Sequence, residues 1–90
     1  MLEPVCRKER GRCIKTNGGG HSSGVIKLND RNAKSVKRQE HCFRLCRSTP
    51  GATGCEVIWN QNNRGCYVHT REISRGNGEN RHSCWVFSKC

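Results

Sequence analysis

Large apolar side chains are scarce in this chain of 90 residues. Leu, Ile, Val and Phe together supply only 15 positions, and the hydrophobic share of 32% includes eight cysteines. Ordering a chain of this length costs on the order of 100 kcal/mol of conformational free energy. So few apolar side chains do not offset that cost by burial alone. The scarcity therefore excludes a cytosolic globular enzyme with a large buried active site.

Three further features are absent. No apolar run approaches the roughly 18 residues of a membrane-spanning helix, so we expect no membrane insertion. The opening Met-Leu-Glu-Pro-Val lacks the apolar core of a secretory signal, and no Asn-x-Ser/Thr sequon occurs. We expect residues 1–90 to form a single domain, with 1–5 as a disordered or added end. We also expect this domain to be one module of a larger secreted protein.

Eight cysteines compensate for the missing apolar residues. Each disulfide lowers the conformational entropy of the unfolded chain and thereby stabilises the fold by about 2–4 kcal/mol. Small secreted domains depend on such bridges. Metal binding is the weaker interpretation, because a zinc site typically combines two close ligand pairs, whereas this chain has one C-x₃-C pair on the predicted helix and four widely scattered histidines. An even number of cysteines leaves no free thiol nucleophile, and the seven acidic residues form no evident catalytic pair. We therefore predict a secreted, non-enzymatic module without catalytic residues, metal or cofactor.

The order of the sequence patterns predicts an α+β fold. Apolar and cysteine positions between Val36 and Cys46 recur at helical spacing, with Ser35 as N-cap, and Pro50 lies beyond the end of the helix. Alternating and β-branched patterns predict strands at 25–28, 55–59, 66–69 and 84–90. The prediction is a small disulfide-rich module in which one amphipathic helix packs on an antiparallel sheet.

Positive charge dominates the chain and is unevenly distributed. Seventeen Lys and Arg against seven acidic residues give a net charge of +10, most of it within residues 1–47. Cations gather on the predicted helix opposite its apolar face, and such a row fits sulfate or carboxylate groups along a glycan. The predicted ligand-binding residues are Arg31, Lys34, Lys37, Arg38 and Arg44. Arg7, Lys8, Arg10 and Arg12 form a second basic stretch. A solvated helix face without a binding role is the alternative.

These charges predict an adhesion module that binds an acidic glycan or an acidic extracellular protein. No nucleic-acid-binding motif is present, so we expect no specific nucleic-acid partner. One alternative is a lectin-like module in which Trp59, Tyr67 and Trp85 stack on neutral sugars, helped by the polar run 60–63, although both Trp residues also suit the core. A cationic host-defence protein is disfavoured, because the chain lacks a long amphipathic apolar face.

Spacing narrows the possible cysteine pairings. Cys42 and Cys46 lie one turn apart on the predicted helix and point the same way, so they can bridge to neighbouring strands. Cys55 and Cys66 on the predicted hairpin are available as partners. The two cysteines near each end of the chain suit bridges between the terminal segments. Spacing alone does not decide which cysteine takes which partner.

The pattern resembles the PAN/apple module. The resemblance lies in Cys42-Phe-Arg-Leu-Cys46, Cys55-Glu-Val-Ile-Trp59, Cys66-Tyr67 and the closing Val86-Phe-Ser-Lys-Cys90, and it spans about Cys6 to Cys90. It implies the pairs Cys42–Cys66 and Cys46–Cys55, and a bridge from a cysteine near the start to Cys90. It also implies a module that binds proteins or carbohydrates.

This chain departs from the PAN/apple pattern by one additional pair of cysteines. We favour Cys6–Cys90 and Cys13–Cys84, because antiparallel neighbours keep the sum of their residue numbers nearly constant. The swapped assignment stays open. A bridge between the two ends would leave both termini on one side, which suits a module in a longer protein.

Overall fold

The computed structural model describes residues 6–20, 24–29, 36–59 and 62–90. Within these residues the strands are β1 (Glu9–Arg10), β2 (Cys13–Ile14), β3 (Val25–Asn29), β4 (Gly54–Ile58), β5 (Gly65–His69), β6 (Arg75–Gly76) and β7 (His82–Val86). The helix α1 spans Val36–Arg47, and a short 3₁₀ helix, Phe87–Lys89, follows β7. The predicted small α+β fold is confirmed.

The strands form two antiparallel sheets. Five of them pair in the order β1-β7-β4-β5-β3, and β2 pairs with β6. The central strand β4 pairs with β5 on one side and with β7 on the other along all five of its residues. Every residue of β4 and β7 is buried. Because successive side chains of a strand point to opposite faces, both faces of this sheet are covered.

Different elements cover the two faces. The helix α1 packs on β4 and β5, and its Phe43 joins Val57, Val68 and Trp85 in one buried cluster. The rings of Phe43 and Trp85 meet edge to face with their centroids 5.7 Å apart. On the opposite face, the small sheet of β2 and β6 lies against β7, where Cys13, Ile73, Cys84 and Val86 form a second cluster. The result is three layers with two small cores.

Four disulfides link these layers. Cys42–Cys66 and Cys46–Cys55 attach α1 to the central strands, with 5.6 Å between the Cα atoms of each pair. Cys13–Cys84 attaches the small sheet to β7, and Cys6–Cys90 joins the two ends of the chain. All eight cysteines lie within the described residues and none is free. These are the pairs that the family resemblance and the antiparallel argument favour.

The elements differ from the predicted ones in three ways. The last strand begins at His82 and ends at Val86, because the chain then turns into the 3₁₀ helix, where the Cys90 N–H bonds to the Phe87 carbonyl at 3.1 Å. Strand β4 is buried on both faces, since the small sheet covers Glu56 as α1 covers Cys55. Strands β1, β2 and β6 have two residues each, too few to produce a sequence pattern.

Some predicted features fall outside the described residues. These are the N-cap Ser35, the end segment 1–5, and positions 60 and 61 of the polar run. Within the described part of the chain, no helix is both long and apolar enough to cross a membrane.

Candidate functional site

The structure describes the predicted helix cations only in part. Arg31 and Lys34 lie outside the described residues, and for Lys37 and Arg38 only the helical backbone is described. Arg44 is exposed on α1. Among the five predicted cations, Arg44 is the one whose side chain the structure describes, and it is exposed to solvent. The row of cations on the helix stays a prediction.

The second basic stretch lies along an edge of the large sheet. Its four cations, Arg7, Lys8, Arg10 and Arg12, are all exposed. Strand β1 places Arg10 opposite Ser83 of β7. The Lys8 ammonium donates a hydrogen bond of 2.8 Å to the Gln39 side-chain oxygen on α1. Pairing with β7 and this contact with α1 hold the N-terminal arm, residues 6–15, in a defined position.

A groove of about 400 Å³ opens beside this arm. Lys8, Arg10 and Arg81 line it together with the half-buried Trp59. The backbone N–H of Trp59 donates a hydrogen bond of 3.0 Å to the backbone carbonyl of Arg81, which fixes the two residues relative to each other. The other lining residues are Glu9, Asn80, His82 and Ser83. An aromatic ring among cations can contact the apolar face of a sugar while the cations bind its anionic substituents.

The three aromatic residues of the lectin-like alternative do not share a surface. Trp85 is only 2% exposed and packs against Phe43 and its neighbours, as the core interpretation expects, so it is not available to stack on a sugar. Trp59 lines the groove, whereas Tyr67 lines a separate cleft.

Glu56 is a charged residue buried in the central strand, with 6% of its surface exposed. Its Oε1 accepts the backbone N–H of Cys13 at 3.0 Å and lies 3.1 Å from Nε2 of His69. Its Oε2 lies 3.3 Å from Nδ1 of His82. The two histidines reach Glu56 diagonally from β5 and β7, the strands on either side of β4.

The surroundings of Glu56 favour its charged form. Burial acts to raise its pKa, but hydrogen bonds from His69, the Cys13 N–H and His82, with the positive charge of His69, hold the pKa below the ordinary value of 4.5. Glu56 is therefore a carboxylate at neutral pH. Because a carboxylate only accepts hydrogen bonds, Nε2 of His69 and Nδ1 of His82 are the donors.

The two depressions next to this cluster are separate. His82 lines the groove, and His69 lines a cleft of about 180 Å³ with the Glu56 carboxylate between the two rings. The cleft is lined by Arg12, Cys13, Gly20, Val25, Glu56, Ile58, Asn63, Tyr67 and His69. The sequence patterns do not predict the cluster of Glu56, His69 and His82. The available signal was an acidic residue within one predicted strand and a histidine within the next.

Among the residues that the structure describes, two groups of side chains lie as close together as metal ligands do. Cys42, Cys46, Cys55 and Cys66 form one group, and Cys13, Glu56 and His69 form the other, with ligand atoms within 4.8 Å of one another. Zinc binds cysteine as the thiolate. Every cysteine in both groups is bonded in a disulfide, so the oxidised chain offers no thiolate at either place.

In comparisons with known proteins, no family model, curated protein or solved structure matches this chain. The PAN/apple resemblance accordingly stays an interpretation of the spacing of its cysteines and apolar residues.

Proposed function

We propose that this protein is a secreted, non-enzymatic adhesion module that binds acidic glycans through its basic surface. The observation that carries the proposal is the convergence of Lys8, Arg10 and Arg81 on one groove beside Trp59. A sulfated or carboxylated sugar would meet cations and an aromatic ring there at once. The net charge of +10 attracts polyanions toward this surface from a distance.

The exposed cations beyond the groove favour an extended ligand. Arg7 and Arg12 flank the groove cations along the N-terminal arm, and Arg44 is exposed on α1. A glycan chain with repeated negative charges can contact several of these positions, whereas a single small anion contacts one. An acidic protein segment is the second candidate partner, because its carboxylates would meet the same cations. The ring of Trp59 favours the glycan.

The location outside the cell is part of the proposal. Four disulfides persist in oxidising compartments and are rare in the cytosol. The PAN/apple resemblance supports a binding module of this kind.

Heparin, a sulfated glycan, is a suitable probe. We expect Arg10→Glu to weaken heparin binding at least about tenfold by titration calorimetry, since it replaces an attractive contact by a repulsive one. Arg71→Glu is the matched control, because Arg71 is also exposed and does not line the groove. Trp59→Ala should weaken binding without changing its salt dependence. Equal losses of heparin affinity for Arg10→Glu and Arg71→Glu would mean that net charge alone drives binding. This result would contradict the groove as the binding site.

The row predicted on the helix can be tested in the same way. If these cations extend the surface, the double change Lys37→Glu with Arg38→Glu lowers the salt concentration at which the chain elutes from heparin. Unchanged elution would exclude this row from the binding surface.

A further inference from the structure

We propose that Asn17 is a modification site, at which the side-chain amide is lost in water and aspartate or isoaspartate remains. The chain contains two Asn-Gly sequences, Asn17-Gly18 and Asn77-Gly78. The structure leaves the first able to react and holds the second in place. This proposal does not depend on the groove or on the glycan of the proposed function.

The reaction at an Asn-Gly sequence is a cyclisation. The backbone nitrogen of the glycine bonds to Cγ of the asparagine and loses its proton, while the bond from Cγ to Nδ2 breaks and ammonia leaves. Water then opens the five-membered succinimide at one of its two carbonyl carbons, which gives aspartate or isoaspartate. Glycine favours this attack, because it has no Cβ to hinder the approach and its backbone reaches conformations closed to other residues.

The two Asn-Gly sequences have almost the same local geometry. Oδ1 of Asn17 accepts the Gly19 N–H at 2.9 Å. Oδ1 of Asn77 accepts the Glu79 N–H, which is also two residues further along the chain, at 3.0 Å. The glycines that follow the two asparagines have φ of +91° and +88°. Both asparagines are exposed, so neither local conformation nor access to water distinguishes them.

Asn77 is held by the N-terminal arm. Its Oδ1 accepts a second hydrogen bond, from the Arg12 N–H at 2.9 Å, and its own N–H donates to the Arg12 carbonyl at 3.0 Å. The Gly78 N–H, whose nitrogen would have to attack, donates to the Arg10 carbonyl at 2.9 Å. Because the arm is fixed by the pairing of β1 with β7, cyclisation at Asn77 requires a costly local opening.

Asn17 lies in a short loop, residues 15–19, whose backbone bonds are local. The Gly18 N–H donates to the Lys15 carbonyl at 2.9 Å, and the Lys15 N–H donates to the Gly19 carbonyl at 2.8 Å. The hydrogen bonds that the structure shows between this loop and other segments involve Thr16 and not Asn17. Opening the loop breaks these turn bonds and leaves the sheet intact, so the Gly18 nitrogen can reach Cγ at low cost.

The product carries a new negative charge in a basic part of the chain. Oδ1 of Asn17 and Nζ of Lys15 lie 3.3 Å and 3.8 Å from the place that a Cβ on Gly19 would take. A carboxylate at position 17 therefore forms near the Lys15 ammonium group, and the net charge of +10 falls by one unit. Cation exchange should separate the modified protein from the unmodified one.

Peptide mapping measures both sites in one sample. The oxidised chain is incubated at neutral pH and digested with trypsin, which places Asn17 in the peptide 16–27 and Asn77 in the peptide 76–81, neither of which contains cysteine. We expect conversion at Asn17 to be at least about tenfold faster than at Asn77, because long-range hydrogen bonds hold the second site closed.

The same measurement on the reduced chain in urea is the control for sequence effects. Unfolding removes the bonds to the arm, so the two rates should become similar. Similar rates in the oxidised chain, or a tenfold difference that persists after unfolding, would overturn the proposal.

Two matched variants identify the source of the acidic form. Asn17→Gln keeps an amide, but its longer side chain would have to close a six-membered ring, which forms more slowly. We expect this variant to lose the acidic form that cation exchange separates, and the control Asn77→Gln to keep it. An acidic form that persists in Asn17→Gln, or that disappears in Asn77→Gln, would contradict the assignment.

Discussion

Hydrogen bonding allows Glu56 to remain charged inside a thin core. Three donors reach its two oxygens: the Cys13 N–H, His69 and His82. The first belongs to the small sheet and the other two to the strands flanking β4, so this carboxylate links three segments of the fold. Removing its charge leaves buried donors with a poorer acceptor, and this cost gives Glu56 its importance for stability.

Glu56→Gln keeps the size of the side chain and removes its charge. We expect the free energy of unfolding at neutral pH to fall by about 1–3 kcal/mol, because two buried histidine donors lose a charged acceptor. Folding lowers the pKa of Glu56, so its charge contributes fully above the ordinary value of 4.5 and progressively less as pH falls through the lower folded value. Urea unfolding should therefore give the same free energy of unfolding for the unsubstituted protein and for Glu56→Gln in strong acid. A difference independent of pH would contradict a role for the charge.

Sequence reasoning predicts residue roles unevenly. The pairs Cys42–Cys66 and Cys46–Cys55 are those that the PAN/apple resemblance implies, because the spacing of the cysteines alone left these partners open. The groove is not predictable in this way, since Lys8, Trp59 and Arg81 meet only through the pairing of β1 with β7 and the Trp59 hydrogen bond to Arg81. The size of Trp85 favours a place in so small a core, and its packing against Phe43 confirms this.

At the scale of elements, the position of the N-terminal arm depends on Gly11. The Gly11 N–H donates to the His82 carbonyl at 2.8 Å, and the Gly78 N–H donates to the Arg10 carbonyl at 2.9 Å. Gly11 has a φ of +108°, and a Cβ at this position would overlap the Gly78 nitrogen and lie 2.5 Å from the Asn77 side-chain oxygen. Glycine therefore allows the arm to lie close enough to the 77–82 segment to complete the groove.

Gly11→Ala tests this dependence. We expect a loss of about 1–3 kcal/mol in the free energy of unfolding from backbone strain, together with weaker heparin binding as the arm shifts. Gly20→Ala is the control, because a Cβ there meets nothing within 4 Å and its φ is not positive. Denaturant unfolding and heparin titration of both variants give the comparison. Equal stability of the two variants would contradict the close approach of Gly11 to Asn77 and Gly78.

The helix α1 stabilises one of the two cores. Phe43 is 1% exposed and packs edge-on against Trp85 and Phe87. We expect Phe43→Ala to lower the free energy of unfolding by about 3–5 kcal/mol. Leu45→Ala, at a half-buried position on the same helix, should cost clearly less. Similar losses in urea unfolding would show that α1 packs through another face.

Element length decides how much of the fold can be predicted. The helix and the strands of five residues carry enough alternation or helical spacing to be located within a few residues. The two-residue strands β1, β2 and β6 depend on tertiary pairing and leave no pattern. Because these short strands leave no pattern, the sequence predicts neither the small sheet of β2 and β6 nor the burial of Glu56 beneath it.

At the scale of the whole molecule, disulfides supply stability that a larger protein gains by burying apolar side chains. The two cores are small, and all four bridges connect different elements or the chain ends. At about 2–4 kcal/mol each, these bridges together rival the roughly 5–15 kcal/mol by which small domains are stable. We expect the reduced and alkylated chain to lose the amide dispersion of its native NMR spectrum at neutral pH. A dispersed native spectrum after reduction would mean that the apolar contacts suffice.

A disulfide map of the native chain tests the central claim most directly. Trypsin cleaves after Lys and Arg and places each cysteine in a separate peptide, because Arg44 separates Cys42 from Cys46 and Lys89 precedes Cys90. We expect mass spectrometry of the unreduced digest to show no free thiol and four linked pairs: Cys6–Cys90, Cys13–Cys84, Cys42–Cys66 and Cys46–Cys55. Free thiols or exchanged partners among these cysteines would contradict the account.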